Sequence, residues 1–156
     1  MTTAPSPPVG RPRIRRASRA DLLEVYRIER DAFPPPWPFE AFERYLGESG
    51  FLVADDGAIA GYVVADTVTG HGGRRVGHIK DLAVRRDRRR EGLGSRLLER
   101  AVGVLASTPA DAVKLEVRES NGPAIDLYRR HGFVYRRTLP AYYADGEDAL
   151  VLVRPL

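Results

Sequence analysis

The stretch Asp81–Leu98, DLAVRRDRRREGLGSRLL, decides how this chain is read. It begins inside a run with strand character, Gly77 to Val84. It ends in Leu93, Leu97, Leu98, Ala101, Val104 and Leu105, which recur at helical spacing. Between them lies RREGLGS, Arg89 to Ser95, where two glycines flank a leucine and arginines crowd the turn. A glycine-rich turn opening a helix presents unblocked backbone N–H groups and the positive end of the helix dipole, a combination that binds phosphate. Gly92 and Gly94 permit close approach of an anion and unusual dihedrals. The turn lacks the Gly-Lys-Ser/Thr ending of a P-loop, and its single G-x-G lacks the further glycine and acid of a dinucleotide fingerprint. A plain helix N-terminus, with glycines for packing, is the alternative reading.

Charge sharpens this. The net charge is +4, and the segment Arg85–Arg100 carries all of it: seven arginines face Asp87, Glu91 and Glu99, while the remainder balances at 18 basic and 18 acidic residues. Proteins that grip long nucleic acid spread basic charge over a face. One compact basic segment without adjacent stacking aromatics suits a small polyanion instead.

At 156 residues, 43% hydrophobic and 29% charged, the chain has the size and composition of one soluble globular domain. No apolar run approaches the ~18 residues of a membrane span. The opening MTTAPSPPVGRPR lacks the apolar core of a secretory signal and predicts a disordered tail over residues 1–12, with the folded domain at 13–156. There is no cysteine, which excludes disulfides, thiolate metal sites and a Cys nucleophile and fits a cytoplasmic location. Three scattered histidines, His71, His78 and His131, make no metal site.

Periodicity predicts a strand at Ile14–Ala17, then a helix capped by Ser18 with Asp21 three residues on and an apolar stripe at Leu22, Val25, Tyr26, Glu29 and Phe33. PPPWP (34–38) stops it. A short helix follows around Phe39 to Leu46, then strands Phe51–Ala54 and Ile59–Thr67 about a DDG turn, and a glycine-rich loop at Thr69–Gly73. Ala112–Val117 alternates as a strand, with Lys114, Glu116 and Arg118 on its polar face. Asn121-Gly122-Pro123 opens a helix to Arg130, closed by Gly132, and a last hairpin joins Phe133–Leu139 to Ala149–Val153. The order βααβββαβαββ is an α/β domain with a mixed central sheet of about seven strands and four helices.

The segment from Asp81 to Leu98 resembles the acetyl-CoA signature of the GNAT superfamily of N-acetyltransferases, in which Arg or Gln-x-x-Gly-x-Gly/Ala follows a strand. Arg89, Gly92 and Gly94 occupy the three fixed positions. The resemblance implies the GNAT fold and acetyl-CoA as co-substrate, with no metal. It implies that Arg90, Glu91, Gly92, Leu93, Gly94 and Ser95 cradle the diphosphate beside Arg89, and that the edge of Leu82, Ala83 and Val84 pairs with the pantetheine amides. KLEVRESNGPAIDLYRRHGF (114–133) resembles the RimI-type ribosomal-protein alanine N-acetyltransferases. GHIKDLAV (77–84) and YYADGEDALVLV (142–153) are similar to the catalytic subunits of archaeal and eukaryotic protein N-terminal acetyltransferases. That likeness implies protein N-termini as substrate, ribosomal proteins among them, and leaves room for an auxiliary subunit. FPPPWPFEAFERYL (33–46) departs from the Leu-Pro-Glu-Asn-Tyr pattern of the Met/Ser/Ala-specific archaeal enzymes, so the preferred first residue is open.

Acetyl transfer to an amine needs a proton acceptor, a stabilised carbonyl oxygen and a proton for the leaving thiolate. Glu116 matches the family's proton acceptor; the alternative is a strand Glu paired with Lys114 or Arg118. Tyr128 matches the proposed general acid and also suits packing on the sheet. Asn121 is an N-cap or a cofactor contact. His78 either holds the deprotonating water or is structural. Tyr142 and Tyr143 belong to a loop that in relatives closes over the peptide, and Trp37, Phe39 and Glu40 are expected to form the opposite wall. A GNAT acting on lysine side chains or a small amine competes with this reading, as does, from another class, a nucleic-acid or ribosome-binding module built on the arginine cluster.

Overall fold

The structure, a computed structural model, describes residues 11–156. The expected tail therefore lies almost wholly outside the described residues. Pro12, at its expected end, is buried, and its carbonyl accepts a hydrogen bond from Arg96 Nη2 at 2.7 Å.

Seven strands and four helices follow in the order read from the sequence: β1 (Arg13–Arg16), α1 (Leu22–Ala32), α2 (Phe39–Arg44), β2 (Phe51–Asp55), β3 (Ile59–Thr69), β4 (Arg75–Val84), α3 (Leu93–Ala106), β5 (Ala112–Arg118), α4 (Gly122–Arg130), β6 (Val134–Leu139) and β7 (Ala149–Pro155). Three short 3₁₀ turns were not expected. At the first, Ser18 caps Arg19–Asp21 rather than α1 directly, and the Asp21 carboxylate accepts from the Ser18 backbone N–H at 2.8 Å and its hydroxyl at 3.0 Å. The glycine-rich loop is shorter than expected because β3 and β4 pair as far as Thr69↔Arg75, leaving a 3₁₀ turn at His71–Gly73.

The strands form one sheet in the order β1-β2-β3-β4-β5-β7-β6, antiparallel everywhere except β4 against β5. Alternation sends Val113, Leu115 and Val117 of β5 into a core with Leu97, Leu98, Ala101 and Leu105 of α3 and Ile125 and Tyr128 of α4. Fully buried leucines such as Leu97 and Leu98 each contribute about 2 kcal/mol by leaving water. On the other sheet face, Leu22, Val25 and Ile28 of α1 and Phe42 of α2 pack on Phe51, Val53, Tyr62 and Val64.

One irregularity positions the site. Opposite β3, Val64 pairs with Asp81 and Ala65 with Ile79, so Lys80 is an extra residue. Such a bulge bends a strand and raises its twist. The parallel ladder with β5 runs Gly77↔Val113, His78↔Lys114 and Ile79↔Leu115 and ends there. Beyond that level the two central strands diverge.

Candidate active site

The splay of β4 from β5 opens a cleft of about 430 Å³. Leu82 and Asp81 come from one wall and Glu116 and Arg118 from the other; Asn121 and Tyr128 of α4 and Tyr142 and Tyr143 of the β6–β7 loop complete it. The α1–α2 loop supplies Phe33, Pro34, Pro35 and Trp37.

His78 and Glu116 meet across the strands, His78 Nε2 lying 2.6 Å from Glu116 Oε2, with both side chains largely buried. Lys114 Nζ is 3.7 Å from the other carboxylate oxygen. Burial alone would raise the Glu116 pKa, but the hydrogen bond and charge of His78, with Lys114, outweigh it and hold the carboxyl below its ordinary range. Arg118, read from sequence as an alternative partner of Glu116, points elsewhere. Its Nη1 lies 2.9 Å from both Asp145 and Glu147, its Nη2 donates to the Pro34 carbonyl at 3.1 Å, and its guanidinium covers the Tyr143 ring at 4.1 Å. One side chain thus ties the β6–β7 loop to the α1–α2 loop across the mouth of the cleft.

Tyr128 is buried, its ring edge-on to Phe133 at 5.8 Å. Burial first, then the charge of Asp81, pushes its phenol well above the ordinary value, so it stays protonated and can only give its proton to a strong developing base. Tyr142 and Tyr143 stack edge-to-face at 5.1 Å, and burial pushes the Tyr143 phenol up to about 12. Asn121 Oδ1 caps α4 by accepting from Ala124 N at 3.3 Å while lining the cleft, so both readings of it are compatible.

At the basic turn a second hollow of about 440 Å³ is lined by Val84, Arg85, Arg86 and Arg89 together with Asp31 and Asp87. Gly92 caps α3 with φ 77°, where a side chain is strained, and no atom would meet an added Cβ within 4 Å. Its surroundings are open to a ligand. Arg90 also has positive φ, 68°, so two near-adjacent residues turn the backbone toward the start of the helix. Arg89 Nε donates to the Val84 carbonyl at 3.2 Å. Glu91 pairs with Arg88 at 2.8 Å, and Arg88 also reaches Asp56 at 2.5 Å, which anchors the turn to the β2–β3 hairpin. Leu93 is a core residue, and Ser95 Oγ lies 2.9 Å from His131 Nε2. Ala83 faces the α1/α2 core, so only its backbone belongs to the open edge of β4.

Two expected wall residues stand apart. Phe39 packs edge-on to Tyr26 at 6.0 Å, and Glu40 is exposed on the first turn of α2; neither lines the cleft. Trp37 does, braced by Phe42 at 5.4 Å and Tyr45 at 5.9 Å. The sequence reading missed Glu29, Tyr62 and Asp81. Glu29 is 2% exposed, accepts from the Trp37 backbone N–H at 3.2 Å, and receives the Tyr62 hydroxyl, which also lies 3.3 Å from Asp81 Oδ2. The signal was present: Glu29 is a carboxylate on an apolar stripe and Asp81 an acid within an apolar strand.

The structure thus sets a glycine turn beside a basic segment at one end of a split sheet and a cleft lined by Glu116, Tyr128 and Tyr143 at the other. Residues 22–133 match the Acetyltransferase (GNAT) family. The chain is 37% identical over 155 residues to the N-alpha-acetyltransferase of Sulfurisphaera tokodaii, covering 92% of this chain and 93% of that one. It is 33% identical over 144 residues to the [ribosomal protein bS18]-alanine N-acetyltransferase of Escherichia coli, covering 87% and 92%. Among solved structures, Ard1 from Thermoplasma volcanium superposes with a TM-score of 0.83 at 28% identity, covering 92% of this chain and 97% of that one. The chain belongs to the GNAT acetyltransferase family. Its co-substrate is acetyl-CoA, which fits the open β4 edge, the Gly92 turn and the basic segment.

Proposed function

We propose that this enzyme acetylates the α-amino group of protein N-termini by direct transfer, with Glu116 as proton acceptor, His78 as its positioning partner and Tyr128 as proton donor. The observation that carries the reading is Glu116, bonded to His78 at 2.6 Å and lining the cleft that Tyr128 also lines. The amine nitrogen bonds to the thioester carbonyl carbon as the carbon–sulfur bond breaks. The ammonium proton passes to Glu116, directly or through a water, and the thiolate takes the Tyr128 proton. Backbone N–H groups on the open edge of β4 are placed to meet the charge growing on the carbonyl oxygen.

The state of Glu116 favours α-amines over lysine. An α-amine, with pKa near ~7.7–8.0, is partly neutral at pH 7 and needs only a weak base; a lysine, near ~10.4, needs far more. A carboxylate held below its ordinary range is a weak base. The names of the Sulfurisphaera and Escherichia relatives support the same reading. We take ribosomal proteins as candidate substrates.

The test is an acetylation assay with acetyl-CoA and short peptides, some carrying an internal Lys behind a blocked N-terminus, read by mass spectrometry. Acetyl on free α-amines alone is expected. Acetyl on the lysine of blocked peptides would move the substrate to side chains.

A further inference from the structure

The consecutive prolines Pro34, Pro35 and Pro36 carry no backbone N–H, so this part of the α1–α2 loop can be held by backbone hydrogen bonds only through its carbonyls. The Pro34 carbonyl accepts from Arg118 Nη2 at 3.1 Å. The other terminal nitrogen of that guanidinium, Nη1, donates to Asp145 and to Glu147 of the β6–β7 loop, each at 2.9 Å. Glu147 is itself fixed, its second oxygen accepting from the Ser120 backbone N–H at 2.8 Å. Among the described residues no other hydrogen bond joins the two loops.

An ordinary surface ion pair contributes little. Arg118 differs in its surroundings: its side chain is 18% exposed, its guanidinium lies over the Tyr143 ring, and its two terminal nitrogens bind different loops. With both nitrogens engaged, the guanidinium serves the loops rather than a substrate group. Arg118 follows Glu116 by two residues on the same face of β5, which places it about 7 Å along the strand. An extended peptide whose amine meets Glu116, and whose chain leaves by the mouth of the cleft, brings its second and third residues beneath this side chain.

We infer that Arg118 is a positioning residue for the peptide, a strap that holds the α1–α2 and β6–β7 loops at the separation the second and third peptide residues require. This rests on the N-terminal reading above. The strap needs an arginine, because a lysine keeps the charge but offers a single nitrogen and cannot hold both loops with one planar fork. Arg118 makes no side-chain hydrogen bond to β4 or to the Gly92 turn, so acetyl-CoA binding is independent of it.

The experiment compares two acceptors, a tetrapeptide and the amide of its first amino acid alone, in wild type, Arg118→Lys and Arg118→Met. The amide is too short to reach the strap. In both variants the tetrapeptide-to-amide ratio of kcat/KM is expected to fall about tenfold through the peptide KM, the size of one lost charge-assisted hydrogen bond. Each ratio is taken on one protein sample, so it does not depend on how much of a variant folds, and acetyl-CoA affinity by calorimetry is expected to hold. Hydrogen exchange in the free variants is expected to quicken at the Tyr143, Gly146 and Glu147 amides, a readout that needs no substrate. An unchanged ratio in Arg118→Met overturns the inference, and so does a wild-type ratio in Arg118→Lys, which would make a point charge sufficient. Equal losses with both acceptors overturn it too, leaving Arg118 a merely structural residue, as does unchanged exchange in both variants. If wild type acetylates no α-amine at all, the N-terminal reading fails by itself, and the exchange measurement still decides whether the strap exists.

Discussion

His78 Nε2 lies 2.6 Å from Glu116 Oε2, joining two strands whose pairing ends at Ile79↔Leu115, the next residue along β4. The contact fixes a carboxylate at the apex of the splay and keeps it ionised. On the proposed mechanism the acceptor is already ionised at neutral pH, and the protonation of the peptide governs the acid side of the rate profile. The wild-type rate with an α-amine peptide is expected to rise with pH through ~7 to 8, following the amine.

Glu116→Gln removes the acceptor and keeps the shape. A fall of about 10²-fold in kcat/KM is expected, deepest at low pH where the amine holds its proton most firmly. Acetyl-CoA affinity, measured by calorimetry, is expected to hold. Wild-type turnover in this variant would eliminate Glu116 as the base.

Tyr128→Phe deletes one buried hydroxyl and leaves the ring on Phe133. Transfer is expected to slow by about 10²-fold with the thermal midpoint maintained. An acetyl thioester whose thiol leaves as a stable anion should restore much of the rate, since no proton is then required. A purely structural tyrosine would show no such rescue.

Gly92→Ala forces a side chain into φ 77° with no neighbour to clash against. The strain costs about 1–2 kcal/mol, read by denaturant unfolding. The KM for acetyl-CoA is expected to rise while that for the peptide changes little, because the proposed site assigns the turn to the cofactor. Equal changes in both would detach Gly92 from the cofactor.

Asp21 tests the frame. Arg15 reaches it at 2.8 and 2.9 Å and also binds Asp55 at 3.0 Å. The Arg15 hydrogen bonds lower the Asp21 pKa from 3.8 against the opposing effect of burial, and Ser18 adds to the lowering. A carboxyl lowered on folding contributes stability that is complete above its unfolded value and vanishes as pH falls through the folded one. Asp21→Asn is therefore expected to cost about 3 kcal/mol at pH 7, and its unfolding free energy should vary less than that of wild type below about pH 4. Parallel acid profiles for the two proteins would remove Asp21 from the acid limb.

All eleven helices and strands were legible in sequence because each is bounded by local chemistry. Asn121 with Pro123 opens α4, Gly132 at φ 85° closes it, and the alternation of β5 separates Val113, Leu115 and Val117 from Lys114, Glu116 and Arg118. The basic glycine turn was legible for the same reason, since glycines and arginines lie within one short segment. Boundaries moved by up to two residues where pairing, a property of two strands, extended β3, β4 and β7.

What local chemistry cannot hold is the meeting of distant segments. Which of Lys114 and Arg118 would attend Glu116 depended on where the β6–β7 loop brought Asp145 and Glu147. Phe39 left the cleft because Tyr26 offered it apolar surface, whereas Trp37 stayed because Phe42 and Tyr45 brace it from behind. Glu29, Tyr62 and Asp81 come from three elements and converge only once the bulge at Lys80 turns Asp81 inward. The sequence by itself determined the elements, their order and the glycine-rich basic turn, all products of short-range backbone and side-chain preferences. The tertiary structure alone decided which side chains meet at Glu116 and Asp81, because charges buried together have meaning only through the distances between them.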